Sequence, residues 1–175
     1  MSEQKAIFLP SGFADECSGN FREQIRMHRM LGWDYLDIRT VEGVKAEEIP
    51  AAQYPAIKGI LEQGGMQVSS IGSAMGKVPI DTVSLEEDLK TLDRLCDLAD
   101  VVGARYIRVM SYAQGDDTPE AWRDKAVVRL HALGEYANTR GVMLVLENCV
   151  GYPQDGDTTV EFLALCNCDN VSCAS

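Results

Sequence analysis

The stretch Gly141-Val142-Met143-Leu144-Val145-Leu146-Glu147 decides the fold. Five apolar residues in a row, opened by a glycine and ended by a carboxylate, make a strand covered on both faces that releases charge only at its C-terminal end. The same punctuation recurs upstream. Gly103 precedes Ala104-Arg105-Tyr106-Ile107-Arg108-Val109-Met110, Gly65 precedes Met66-Gln67-Val68-Ser69-Ser70-Ile71, and Gly32 precedes Trp33-Asp34-Tyr35-Leu36-Asp37-Ile38-Arg39. Going down the chain, these glycines lie 33, 38 and 38 residues apart. Each closes a helical pattern and opens a strand pattern. That is the position just past a helix end, where a left-handed backbone is needed and glycine adopts it freely.

Helical periodicity fills the intervals. Residues 21–31 place Phe21, Ile25, Met27, Met30 and Leu31 on a helical pattern, and residues 85–102 repeat Leu85, Leu89, Leu92, Leu95, Cys96, Leu98, Ala99 and Val102 with a period near 3.6. Ser84 with Glu87 forms a capping box at the start of the latter. Thr118-Pro119-Glu120 opens a further helix running to Ala137, with a cap followed by proline at the first helical position. Strand and helix therefore alternate, and crossover helices imply a parallel sheet. A closed barrel and an open doubly wound sheet both fit. No G-x-G-x-x-G or P-loop motif follows the first strand, which removes the main support for a nucleotide-binding open sheet. The expectation is an α/β chain forming a partial TIM (β/α)8 barrel. It has about five βα units of parallel sheet with outer helices, in one domain over residues 1–175, and its first strand starts at residues 6–9 and ends near Phe13. An open α/β domain with no site is the plain alternative.

Bulk properties narrow the function classes. A net charge of −11 repels phosphate backbones, so nucleic acid is excluded as a partner. The apolar run at residues 6–9 is too short for a signal peptide or a membrane span, so no membrane association and a cytoplasmic location are expected. Six cysteines in such a compartment read as free thiols. Cys166, Cys168 and Cys173 crowd together, but without zinc-ribbon spacing or a nearby histidine.

In a barrel the site lies at the C-terminal ends of the strands. Those positions hold Asp15 and Glu16 after the first strand, Arg39 and Glu42 after the second, and Ser73, Gly76 and Lys77 after the third. Arg108, Ser111 and Tyr112 follow for the fourth, then Glu147 and Asn148 for the fifth. Glu147 leaves a buried strand, so its carboxylate needs a cation, a metal or a set of donors. Its plain structural reading is a salt bridge to Arg108 on the neighbouring strand. Lys77 follows a Gly/Ser-rich turn that lets the backbone approach a ligand; as a bland residue it is a solvated loop lysine. Arg108, set in an otherwise apolar strand, must find an acid. His28 and His131 lie within helices, away from strand ends, and read as surface or packing residues.

Taken in order, Phe13-Ala14-Asp15-Glu16, Tyr35-Leu36-Asp37-Ile38-Arg39 with Gly43, Ile71-Gly72-Ser73-Ala74-Met75-Gly76-Lys77, Tyr106-Ile107-Arg108-Val109-Met110-Ser111-Tyr112 and Leu146-Glu147-Asn148 resemble one family. It is the sugar phosphate isomerase/epimerase family of the xylose isomerase-like TIM-barrel superfamily. Gly156-Asp157-Thr158 is similar to the loop after its fifth strand. The resemblance implies a divalent metal (Mn²⁺, Mg²⁺ or Zn²⁺), a small sugar or sugar phosphate substrate, and a proton moved between adjacent carbons by paired carboxylates. Glu147 matches the first of the implied metal ligands and is the implied catalytic carboxylate. Glu16, Lys77 and Arg108 are the implied substrate-binding residues.

A complete barrel needs roughly 250 residues, so the chain reads as C-terminally incomplete. Residues 166–175 are expected to lack a sixth strand, and the remaining metal ligands are absent. Three outcomes are open: an isomerase/epimerase by lineage that is inactive as this chain, a non-catalytic binding or assembly module, or an abasic-site endonuclease type of barrel. The last would need histidines at strand ends and a basic surface. Open sheet edges and an uncovered apolar inner face predict self-association.

Overall fold

Apolar alternation in the short strands sorts side chains to two faces, and the helices cover only one of them. A computed structural model describes residues 9–149, 151–153 and 155–173. In chain order its elements are α1 (Phe21–Met30), β1 (Tyr35–Ile38), a hairpin of β2 (Thr40–Val41) and β3 (Val44–Lys45), α2 (Tyr54–Gly64), β4 (Gln67–Gly72) and α3 (Leu85–Val102). They continue with β5 (Tyr106–Val109), α4 (Pro119–Thr139), β6 (Met143–Leu146), α5 (Gly156–Cys166) and β7 (Val171–Cys173). Five strands form one sheet in the order β1-β4-β5-β6-β7, every pair parallel, and β2 and β3 pair separately and antiparallel. The sequential order of a barrel wall is thus realised.

The local signals act as expected. The capping box of Ser84 and Glu87 starts α3, and Thr118 accepts from Ala121 N at the head of α4. Gly32, Gly65, Gly103 and Gly141 all have positive φ. At Gly103, with φ +80, the left-handed residue lets its N–H reach back to Ala99 O at 2.8 Å, closing α3 and turning the chain into β5.

The core lies between the helices and the outer face of the sheet. Leu36, Ile38, Ile71, Ile107, Val109, Leu144 and Leu146 point that way and are essentially inaccessible, packed with Leu92, Leu95, Leu98, Leu130 and Phe162 from the helices. Each such side chain contributes about 1.5–3 kcal/mol on burial. The alternate positions Asp37, Ser70, Tyr106, Arg108, Met143 and Val145 face the other way and line a cavity. The inner face is therefore mixed: Asp37, Ser70 and Arg108 stand among Tyr106, Met143 and Val145, and much of it is apolar, as expected of an uncovered barrel wall.

Three expectations change. The tail does carry a strand: β7 pairs with β6 through Leu144↔Val171, Val145↔Ser172 and Leu146↔Cys173. Gly156-Asp157-Thr158 is the first turn of α5 rather than a loop, with Asp155 as N-cap in a reciprocal box with Thr158. Of the expected first strand, residues 6–8 lie outside the described residues, and residues 9–13 contribute one parallel bridge, Phe13↔Asp37. The six cysteines are free, no group of three or more His, Cys, Asp or Glu side chains converges among the described residues, and no helix among them is long and apolar enough to cross a membrane.

Candidate active site at the strand ends

β5 and β6 are in register, Arg108 beside Val145 and Val109 beside Leu146. Glu147, two residues past Val145, therefore faces the same side as Arg108, its backbone N–H bonded to Val109 O at 2.9 Å. The two side chains meet: Arg108 Nη1 lies 2.9 Å from Glu147 Oε2, with side-chain exposures of 11% and 32%. The salt bridge of the plain structural reading is present. It does not saturate the carboxylate, because Oε2 is buried and makes no well-directed hydrogen bond among the described residues.

Arg108 is held from every side. Its Nε and Nη2 donate to Ser73 O at 3.3 and 3.0 Å, and Nη2 also reaches Gly72 O at 3.4 Å. In return Ser73 Oγ, wholly buried, donates to Arg108 O at 2.5 Å. The guanidinium lies 4.9 Å from the Phe13 ring centroid, and that of Arg39 lies 5.0 Å from the same ring. Phe13 thus serves two cations, a favourable arrangement for an aromatic quadrupole. Gly72 makes room for it: a Cβ there would stand 2.4 Å from Phe13 Cε1.

The residues singled out from sequence separate into two places. Arg108 and Glu147 line a cavity of about 560 Å³ together with Phe13, Asp37, Ser69, Ser70 and Tyr106. Lys77 is exposed and lines a neighbouring cleft of about 270 Å³, which Arg108 also borders. Glu16 is exposed and bonds Arg39 Nη2 at 3.1 Å, while Asp15, more buried, takes Arg39 Nε at 2.8 Å. That bond to Asp15 is the chief reason the Arg39 guanidinium is held further above its ordinary range. Two strand-end residues turn away from the cavity. Glu42 accepts from Phe21 N at 3.0 Å at the head of α1, and Tyr112, with φ +67, buries its ring and donates to Asp88 of α3 at 2.6 Å. His28 is buried, its ring nitrogens at Gln24 O and Gly12 O, and His131 Nδ1 meets Cys166 O; both are packing residues.

Sequence reading missed Asp37 and the Ser69-Ser70 pair. Leu36 pairs with Val68 and Ile38 with Ile71, so two serines stand opposite one aspartate, a β-bulge. It brings Ser70 Oγ to 2.8 Å from Asp37 Oδ1 inside the cavity. The usable signal was Asp37 between Leu36 and Ile38, a carboxylate at the inward position of an alternating strand.

Sequential parallel strands, outer helices and ionic groups gathered at the C-terminal rim define a TIM-barrel type of architecture. The chain belongs to the xylose isomerase-like TIM barrel family, whose model matches residues 26–172. A comparison with curated proteins finds no match. Among solved structures, the chain is similar to a xylose isomerase-like TIM barrel protein from Mycobacterium smegmatis in complex with magnesium. The two are 23% identical with a TM-score of 0.73, over 94% of this chain and 63% of that one. It is also similar to 3-keto-D-glucoside 4-epimerase from E. coli, at 13% identity and TM-score 0.71 over 95% and 67% of the two chains. A third is D-psicose 3-epimerase with D-tagatose from Clostridium cellulolyticum H10, at 16% identity and TM-score 0.68 over 93% and 62%. The chain thus spans 63% of the length of the first of these structures.

The family implies a divalent metal. Glu147 is suited to it, an inward carboxylate at a strand end. No group of three or more His, Cys, Asp or Glu side chains converges around it among the described residues. The described residues alone show no metal site of three or more such ligands.

Proposed function

We propose that this chain belongs to the chemistry of sugar, or sugar phosphate, isomerisation and epimerisation, with Glu147 as its proton-transfer carboxylate and as its one ligand toward a divalent metal. The observation that supports this is the Glu147 carboxylate, facing the cavity at a strand end and ion-paired there with Arg108 at 2.9 Å. In that role Glu147 takes the proton from a hydroxyl-bearing carbon next to the sugar carbonyl and returns it at the former carbonyl carbon, while the hydroxyl proton passes to the former carbonyl oxygen, so that no atoms are gained or lost. Arg108 is spent on Glu147, Ser73 and Gly72, so its part is to position the carboxylate. Lys77 and Glu16 stand at the substrate end. With no group of three or more His, Cys, Asp or Glu ligands among the described residues, the isolated chain is expected to turn nothing over and to bind divalent metal weakly.

A second reading, a non-catalytic binding or assembly module, is favoured by that same shortage of ligands. Its mode of assembly would be pairing along the free edge of β7, a cytoplasmic protein associating with itself.

Both readings meet one experiment. Manganese is titrated into the chain and into Glu147→Gln, following paramagnetic broadening by NMR, alongside an isomerisation assay on D-fructose, D-psicose and D-tagatose. Broadening centred on Glu147 and lost in Glu147→Gln supports the lineage reading. Broadening elsewhere, or unchanged by the substitution, removes Glu147 as the ligand. Metal-dependent turnover by the chain alone overturns the claim of inactivity.

A further inference from the structure

The 270 Å³ cleft beside the main cavity carries several donors. Arg39, Thr40, Lys45 and Lys77 line it, and Glu47 supplies a carboxylate. The hairpin makes the arrangement: its turn residues Glu42 and Gly43 have φ of +51 and +76, which brings Thr40 opposite Lys45 directly after the Arg39 strand end. Across the cleft, the turn after β4 carries Lys77.

Most of these donors are uncommitted. Arg39 spends Nε and Nη2 on Asp15 and Glu16, leaving Nη1 without a hydrogen-bond partner among the described residues. Lys77 Nζ and Thr40 Oγ1 have none there either, and Lys45 Nζ stands 4.0 Å from Glu48, a loose exposed pair. Glu47 reaches across 27 positions of sequence to accept from Ala74 N at 3.3 Å. Asp15 and Glu16 both pair with Arg39, and Glu147 holds Arg108. Lys45 and Lys77 border the cleft together with the Glu47 carboxylate, in a chain whose net charge is −11.

We propose that this cleft is an oxyanion subsite, in which Lys77, Lys45 and Arg39 Nη1 hold a phosphate or carboxylate group and the Glu47 carboxylate competes with it for the Ala74 amide. An oxyanion offers only acceptors, which matches a wall of donors, and charge-assisted bonds to it are stronger than those to a hydroxyl. That the group is carried on a sugar rests on the function proposed above; the subsite itself does not.

The test is calorimetric titration of the chain with inorganic phosphate, D-glucuronate and neutral D-glucose at fixed ionic strength, so that screening is constant. At least one anion binds saturably and D-glucose does not; phosphate alone or glucuronate alone identifies the source of the charge. Lys77→Gln and Lys45→Gln each weaken the anion about tenfold, as expected for loss of one charge-assisted bond. Glu47→Gln tightens it, a sign that unfolding or general damage does not produce. Lys58→Gln, an exposed lysine of α2 outside the cleft, leaves binding unchanged. No saturable binding, equal binding of D-glucose, an equal loss in Lys58→Gln, or weaker binding in Glu47→Gln overturns the proposal. The manganese titration repeated on Lys77→Gln separates the two readings: an absent anion site with Glu147 behaving as proposed sinks the subsite alone.

Discussion

Replacing Arg108 with methionine asks how much of the site is held by one cation. Methionine keeps the apolar stem that packs in β5 but removes the Nη1 contact to Glu147 at 2.9 Å and the donors to Ser73 O and Gly72 O. Truncating one member of a buried ion pair costs about 3–5 kcal/mol, because the other charge is left in low dielectric. Glu147 retains 32% of its side-chain exposure and can draw water toward it, which places the cost at the lower end, about 3 kcal/mol. For a chain of this size that is a fall in Tm of about 6–12 °C. Urea unfolding is the assay, with the slope m checked for constancy so that the change is one of stability. The double substitution Arg108→Met with Glu147→Leu removes both charges, and should recover at least about 1 kcal/mol of the loss. A single variant within about 0.5 kcal/mol of wild type, with no recovery in the double, would refute the account of Arg108 as the residue that fixes Glu147.

Three further outcomes are set by the packing. Gly134 lies inside α4, where alanine normally gains about 1 kcal/mol; here its Cβ would stand 2.6 Å from both Cys168 Sγ and Val171 Cγ2. Gly134→Ala should therefore destabilise, by about 1–3 kcal/mol, and speed alkylation of Cys168, and a stabilised variant would mean that β7 does not pack there. Gly76→Ala puts a Cβ 2.1 Å from the backbone oxygen of Met110 at φ +78, so calorimetry should show a larger loss than for Gly134→Ala. Burial pushes the Cys96 thiol up to about 11 and the Cys166 thiol up to about 12. Both should resist a thiol reagent at pH 8 while exposed Cys17, Cys149 and Cys173 react, and rapid labelling of all six would contradict the fold. The sign of the linked stability is fixed by the same shift: the folded state keeps those protons longer than the unfolded chain, so stability is full below the ordinary thiol range and falls as pH rises through it toward 11–12. Urea melts between pH 8 and pH 11 of wild type against Cys96→Ala with Cys166→Ala should show a shallower fall in the variant.

What could be read from the chain alone was what is local. The glycine ends, the capping box of Ser84 and Glu87 and the proline at the head of α4 act within one turn, and each appears where the sequence puts it. Glu147 and Arg108 were legible for a related reason: a charged residue inside one apolar strand and another just past the end of the next come to the same rim once the strands are in parallel register. β7 was not legible. Three residues cannot show a period, and Val171-Ser172-Cys173 is extended because the free edge of β6 offers partners to its backbone. The box that starts α5 uses Thr158 in place of the usual Glu or Gln, which hid a helix behind a loop motif. Phe13 lies outside the reach of any periodicity. Its place between Arg39 and Arg108 depends on Gly72, 59 positions away, lacking a Cβ. The polar groups on the inner face escaped for a subtler reason. In Met143-Leu144-Val145-Leu146 inward and outward positions are both apolar, so the run conceals its own alternation, and the sheet's second face shows its character only when Asp37, Ser70 and Tyr106 are brought alongside by their neighbours. Hydrophobicity within one strand therefore reports burial against the helices. The chemistry of the face that carries the site is a property of the register between strands.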